Sequence, residues 1–398
     1  MYIRIIRINN QINYLLMKLL KKIALWTLIS LSSLIVLAYV FNVDYLLKAI
    51  RTIYLKGHQT AFLEDYKEFD NDTISKSNIA QPWAIHKDYN KVKASSVLEN
   101  LHKEVGTVAY LIIKNDSIWH ESYYDGFDKN SKSNSFSMAK SVVSAALGKA
   151  IMEGKIKSLD QLVSDFFPEF KEGKSATMTV GDLSSMASGL NWDESYYSPF
   201  SITTRAYFSD ELEKVILGLK GVDEPGKKYK YLSGNTQLLA MVIEKATGEK
   251  IPKYVSKNFW QPMGAENDAF WQTDKKDGIV KAFCCIASNA RDFARFGKLY
   301  KQYGKWNGKQ LLDSTFVAKS ITPRFKESPE YGYAWWLSDY KGKNIFYMRG
   351  HLGQYVIVIP EDELIIVRLG NRVKKSKNSP HSEDFFVYID EAYKMLGK

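Results

Sequence analysis

Strand-like runs near both ends of the chain and a long helical stretch between them predict an α+β fold. The expected body is one antiparallel sheet flanked by helices, with an all-helical lobe inserted, preceded by one transmembrane helix. Two observations carry the body. The runs "GTVAYLIIKND" and "SIWHESYYDG" lie before residue 130, and "NIFYMRG", "QYVIVIP" and "ELIIVRLGN" lie after residue 331. Two early strands cannot bury both of their faces alone, so they must join the late ones in a single sheet. A third observation carries the anchor: residues 23 to 43, "IALWTLISLSSLIVLAYVFNV", contain no charge.

Taken in order, residues 1–22 form a basic segment with Arg4, Arg7, Lys18, Lys21 and Lys22 and no acid. The uncharged run spans about 31 Å as a helix, the thickness of a bilayer's hydrocarbon core. It is long for a cleaved signal peptide, and no clean small-x-small cleavage site follows it. A basic flank stays cytoplasmic, so the expectation is a single-pass inner-membrane protein with its catalytic domain on the periplasmic side. Residues 44–82 read as a membrane-proximal linker, ending in the polar "DNDTISKSNIAQPW". The main domain is expected over 83–398. Asn115-Asp116 is a hairpin signal between the first two strands. Helical patterns then fill a lobe from about 137 to 320: "SMAKSVVSAALGKAIMEG", "QLLAMVIEKATG" with Gly248 as a stop, and "NARDFARFGKLYKQYG". Strands resume with "YGYAWWL", with turn signals at Lys341-Gly342 and Pro360-Glu361-Asp362. The chain closes on the amphipathic "EDFFVYIDEAYKML".

Composition excludes several function classes. The chain is 45% hydrophobic and 14% aromatic over 398 residues, enough for a sizeable core. Five of the net +11 charges sit in the basic segment, leaving +6 spread over the remaining 376 residues. That is a solvated surface, not a nucleic-acid stripe. The stretch "NRVKKSKNSP" reads as a surface loop. The two cysteines, Cys284 and Cys285, are adjacent, where a bridge is strained, so no disulfide framework is expected. The six histidines show no zinc spacing, and no metal or other cofactor is expected.

The chemistry concentrates at "SFSMAKSVVSAALGKAI". Positions i and i+3 share a helix face, which sets Ser137 beside Lys140. The apolar residues that follow point in nearly every direction, marking a helix buried all round. A lysine at the mouth of such a helix loses solvation, and its pKa falls toward a neutral amine that can take a serine's proton. Spacing alone says little. A second Ser-x-x-Lys, Ser338 to Lys341, falls in a charged turn without that environment and serves as an internal control. Two further stretches add weight: "YKYLSGNTQLLAMVIEKATG", with Tyr231, Ser233 and Asn235 ahead of an apolar helix, and "FYMRGHLGQYVIVIP", with His351-Leu352-Gly353 at the start of a strand. Glycine there lets a substrate approach the strand's N–H groups.

Together these stretches resemble the serine β-lactamase and penicillin-binding-protein superfamily, with its Ser-x-x-Lys, Tyr-x-Asn or Ser-x-Asn, and Lys-Thr-Gly motifs. The branch most similar is that of the class C β-lactamase-like esterases and amidases, including 6-aminohexanoate-dimer hydrolase. The phrases "MTVGDLSSMASGLNW", "RDFARFGKLY" and "YGYAWW" support it, and the likeness covers about residues 83–395. The resemblance implies Ser137 as the acyl-forming nucleophile, Lys140 as its proton acceptor and Tyr231 as the phenol that serves the leaving group. It implies an oxyanion hole from the backbone N–H groups of Ser137 and Gln354. Ser233, Asn235, His351 and Gly353 are expected to contact substrate. The loop "NWDESYYSPFS" is expected to wall the pocket with Trp192, Tyr196, Tyr197 and Phe200, and Tyr196 is a rival Tyr-x-Ser ranked below Tyr231.

Two departures shape the expected function. The second motif reads Tyr-x-Ser, so Asn235 would have to take over the usual asparagine's contacts. His351 stands where β-lactam enzymes carry lysine, which removes a fixed charge for a β-lactam carboxylate. Both favour a membrane-anchored hydrolase of a small ester, amide or short peptide, with no protein partner expected. The alternatives are a D,D-peptidase or β-lactamase, and a catalytically dead binding module, which the presence of Ser137, Lys140 and Tyr231 disfavours.

Overall fold

The computed structural model describes residues 2–397, with side chains at residue 7 and from residue 9 onward. The chain divides into two compact units, one ending at Gln59 and one beginning at Thr60.

In the first unit the basic segment and the apolar run form one continuous helix, Tyr2–Val40, rather than separate pieces. Nothing in residues 9–22 breaks a helix, so the charge boundary at residue 22 is not a structural one. The most apolar 18-residue window within Asn9–Val40 has a mean hydropathy of 2.2 and is exposed almost throughout. Among the described residues this is the one helix long and apolar enough to cross a membrane.

In the second unit the early and late strands do share one sheet. Its seven strands are β1 (Ala84–Ile85), β2 (Thr107–Lys114), β3 (Ser117–Tyr123), β4 (Trp336–Ser338), β5 (Ile345–Gly350), β6 (Gln354–Ile359) and β7 (Leu364–Gly370), in spatial order β4-β5-β6-β7-β2-β3-β1. All neighbours are antiparallel except β1 against β3. The central seam pairs Ile112 with Ile366 and Leu111 with Val367. The β2–β3 hairpin turns on Asn115 (φ 49°) and Asp116 (φ 57°), the positive-φ pair that a tight two-residue turn needs. The central strands are buried on both faces, which is why they read as continuous apolar runs instead of alternating ones. One face is covered by α1 (Ser96–Glu104) and the C-terminal helix Glu383–Met395, whose Leu98, Leu101, Phe385 and Ile389 pack on Ile112, Ile357 and Ile366.

Three expectations need correction. The second unit begins at Thr60, not at residue 83. Asn71–Ile74 pairs with Ala269–Gln272, and the Asp65 carboxylate is fully buried, accepting from Asn134, Tyr207 and Gln272. A polar stretch reads as a linker when the partners that satisfy it lie 69 to 207 residues away. The lobe is also not wholly helical. Ala269–Gln272 and Ile286–Ser288 are strands within it, completed to a four-stranded sheet by Asn71–Ile74 and Ser133–Asn134, all too short to show a two-residue period. Finally, Cys284 and Cys285 are joined as a disulfide, though one that ties no separate elements together.

Candidate active site

Ser137 lies in the 3₁₀ turn Phe136–Met138, which runs into α2 (Ala139–Met152). Asn134 shapes the turn: its side chain accepts the N–H of Phe136, a residue held at φ 45°. Nearly every residue of α2 from Ala139 to Gly148 is buried. Lys140, in the first turn, is 2% exposed. Its ammonium donates to Ser137 Oγ at 2.9 Å, to Ser233 Oγ at 3.0 Å and to the Phe283 carbonyl at 2.7 Å. Burial pulls its pKa down to about 8, against the opposing charge of Glu194. The control pair behaves differently: Lys341 is a surface residue paired with Asp390 at 2.8 Å.

Tyr231 completes the group. Its ring lines the same cleft as Ser137, and Lys140 Nζ lies 5.2 Å from the ring centroid. Burial, reinforced by the charge of Glu194, pushes the phenol pKa up. Ser233 opens α3 (Ser233–Thr247), and its hydroxyl bridges Lys140 to Glu194, donating to the carboxylate at 2.6 Å. Glu194 also accepts the Ser233 N–H at 2.6 Å and the Tyr196 hydroxyl at 2.5 Å. In the sequence this loop stands out for its aromatic residues, and no local pattern marks Glu194 as the acid that enters the site.

A cleft of about 420 Å³ opens over Ser137, and Glu194, Tyr196, Tyr231, Arg349 and His351 line it. Strand β5 delivers the far wall through a close approach: a Cβ on Gly350 would meet the Ser135 carbonyl oxygen at 2.2 Å, so only glycine fits. His351 sits between Tyr196, stacked at 5.1 Å, and Phe136, edge-on at 5.5 Å. Burial pulls its pKa down to about 4, so the imidazole is neutral at physiological pH.

The remaining expected residues fall elsewhere. Asn235 is fully buried and accepts from Ser188 at 2.6 Å, so it braces α3 and does not reach Lys140; Ser233 and the Phe283 carbonyl hold the amine instead. Gly353 and Gln354 are buried behind the cleft, where the Gln354 side chain is tied to Gly370. Gly350, His351 and Leu352 line the cleft, and Leu352 (φ 62°) and Gly353 (φ 82°) turn the chain into β6 at Gln354. Trp192 is a buried wedge under α3, since a Cβ on Gly234 would meet its ring at 2.4 Å. Tyr197 flanks His351 at 6.4 Å and is mostly exposed, and Phe200 is exposed.

A serine bonded to a buried amine and facing a phenol across one cleft, at the head of a helix between a sheet and an inserted lobe, defines a serine hydrolase of the β-lactamase fold. The chain belongs to the Beta-lactamase family, whose model matches residues 91–384. It is 25% identical over 297 residues to a 6-aminohexanoate-dimer hydrolase of Paenarthrobacter ureafaciens, covering 69% of this chain and 75% of that one. Two solved structures share the fold. A candidate 6-aminohexanoate-dimer hydrolase from Bacillus anthracis has a TM-score of 0.70 at 21% identity, over 83% of this chain and 92% of that one. A family VIII carboxylesterase has a TM-score of 0.59 at 16% identity, over 79% and 99%.

Proposed function

We propose that this protein is a membrane-anchored hydrolase that cleaves an ester or amide through an acyl-enzyme on Ser137. The observation that carries the reading is the amine of Lys140, held 2.9 Å from Ser137 Oγ with its pKa lowered to about 8. A base poised near the working pH is what general-base activation of a serine needs. The phenol of Tyr231, pushed the other way, stays protonated and serves as the acid. Lys140 accepts the Ser137 proton as Oγ bonds the acyl carbon. The charge on the carbonyl oxygen falls to backbone N–H groups, that of Ser137 at the head of α2 and one from residues 350–352. Tyr231 protonates the leaving group as the acyl bond breaks and regains a proton from Lys140. Water then enters, and the same groups run in reverse to release the acid.

The named activities of the relatives, a 6-aminohexanoate-dimer hydrolase and a carboxylesterase, support ester or amide substrates. The exposed apolar helix supports a single-pass anchor, and its basic flank supports a catalytic domain on the outer face of the inner membrane. The test is intact-mass analysis after a fluorophosphonate probe, together with turnover of p-nitrophenyl esters and of nitrocefin. One covalent adduct in the wild type, none in Ser137→Ala and an unaltered adduct in Ser338→Ala is the expected result. An adduct that persists in Ser137→Ala would end the acyl-enzyme reading, and nitrocefin turnover outpacing the esters would make the protein a β-lactamase.

A further inference from the structure

Residues 41–59, between the apolar helix and the catalytic unit, play no part in the proposed reaction, and their structure is specific. The helix Tyr2–Val40 stops where its uncharged run ends. Asn42 takes the left-handed conformation (φ 53°), and the N–H of Val43 reaches back to the Ala38 carbonyl at 2.8 Å. That bond terminates a helix and lets the chain leave its axis. A second, short helix follows at once, Tyr45–Thr52, continued by the 3₁₀ turn Tyr54–Lys56 and closed by Gly57 at φ 82°.

This second helix has two faces. Tyr45, Ala49, Thr52 and Ile53 are buried. On the other side Leu46, Ile50 and Tyr54 follow at four-residue steps, and Leu47, Arg51 and Leu55 make a parallel row. Ile50, Tyr54 and Leu55 are 46%, 55% and 76% exposed. Large apolar side chains grouped in this way mark a surface that something covers. The same stretch is cationic: from Tyr45 to Leu63 it carries Lys48, Arg51 and Lys56 and no acid. Apolar rows set beside cations and a tyrosine suit the boundary of a bilayer, where the rings and chains sink toward the acyl region and the charges reach phosphate. Continuity decides the occupant, since only residues 41–44 separate this helix from the apolar one.

We propose that residues 45–57 form an interfacial foot in the head-group layer of the bilayer that the apolar helix spans. Ile50, Tyr54 and Leu55 enter the acyl boundary, and Arg51 with Lys48 and Lys56 meets the phosphates of anionic phospholipid. The inference rests on the anchor part of the proposed function and goes beyond it. An anchor keeps the catalytic unit on the membrane, whereas a foot sets how close to the lipid that unit begins. The unit starts at Thr60, three residues past Gly57, a reach of at most about 11 Å.

The experiment reads depth in the full-length protein, reconstituted into vesicles of phosphatidylcholine and phosphatidylglycerol. A bimane label is placed through Leu55→Cys; the two native cysteines are buried and joined to each other. Quenching by a lipid with a head-group nitroxide is compared with quenching by aqueous iodide, and free dye supplies the aqueous limit. The label should be quenched by the nitroxide and shielded from iodide. Arg51→Gln/Lys56→Gln should move it toward the aqueous limit, by about fivefold in the ratio of docked to lifted states for each cation removed. Ile50→Ser/Tyr54→Ser should do the same by removing apolar contact. These positions are on the surface, and an unchanged thermal melt checks that each variant is folded. A label as open to iodide as free dye, or lipid quenching that neither variant reduces, would overturn the foot. Shielding from both quenchers would place protein over the helix and overturn it as well. Vesicle flotation separates the two failures: a protein that floats with its label in water sinks only the foot, while one that does not float sinks the anchor reading and the foot with it.

Discussion

In the proposed reaction, Lys140 and Tyr231 divide the proton work by the sign of their shifts. Lys140, with its pKa near 8, is a competent base only after it loses its proton, so kcat/KM should rise with pH through an inflection close to that value. The two groups sit side by side, and the measured inflection belongs to the pair. Glu194 holds the Lys140 pKa up by its charge, so Glu194→Gln should move the inflection to lower pH. An inflection that stays put in this variant would show that Glu194 does not act on the amine. Lys140→Arg keeps a charge but cannot release its proton, and steady-state assays should find it almost as inactive as Lys140→Ala. Tyr231→Phe should cost about 10²–10⁴-fold in kcat, the usual worth of one general acid–base group. Near-normal rates in Lys140→Arg would make the lysine an electrostatic fixture.

At the scale of elements, two contacts set the distance between the parts of the site. Strand β5 approaches the nucleophile turn at Gly350, where a side chain would strike the Ser135 backbone at 2.2 Å. Backbone cannot swing aside, so Gly350→Ala should push the strand end off Ser137, lower kcat by at least about tenfold, and destabilise by about 1–3 kcal/mol. Helix α3 rests on Trp192 at Gly234, with 2.4 Å available to a Cβ. Gly234→Ala should displace Ser233 from Lys140 and show the same joint loss in a thermal melt and an ester assay. A variant at either position with unchanged kcat would mean that the element tolerates movement without loss of geometry.

For the whole molecule, residues 60–82 belong to the catalytic unit even though their composition reads as a tether. The fully buried Asp65 carboxylate holds Asn134, whose side chain in turn accepts the Phe136 N–H beside the nucleophile. A chain beginning at residue 60 should therefore fold and turn over esters. One beginning at residue 83 loses a strand partner and leaves the amides of Asn134 and Gln272 without their buried acceptor, and should be insoluble or inactive. Equal activity from both would show that this segment is dispensable. In cell fractionation the full chain should pellet with membranes, and the chain from residue 60 should not.

The sequence by itself determined the sheet partners at the two ends, the helices at Ser137 and Ser233, and the placing of Lys140 beside Ser137. These follow from local properties: hydrophobic period, turn residues such as Asn115-Asp116, and a lysine placed at the head of a helix buried all round. Tertiary structure alone decided where residues 60–82 belong and that Glu194 is bonded to Ser233 and Tyr196. It also decided that Asn235 braces a helix while Ser233 meets Lys140, and that His351 is sandwiched between Tyr196 and Phe136 at the cleft. Each of these depends on pairing between segments tens to hundreds of residues apart, and a polar or charged side chain carries no local mark of the distant partner that gives it a role.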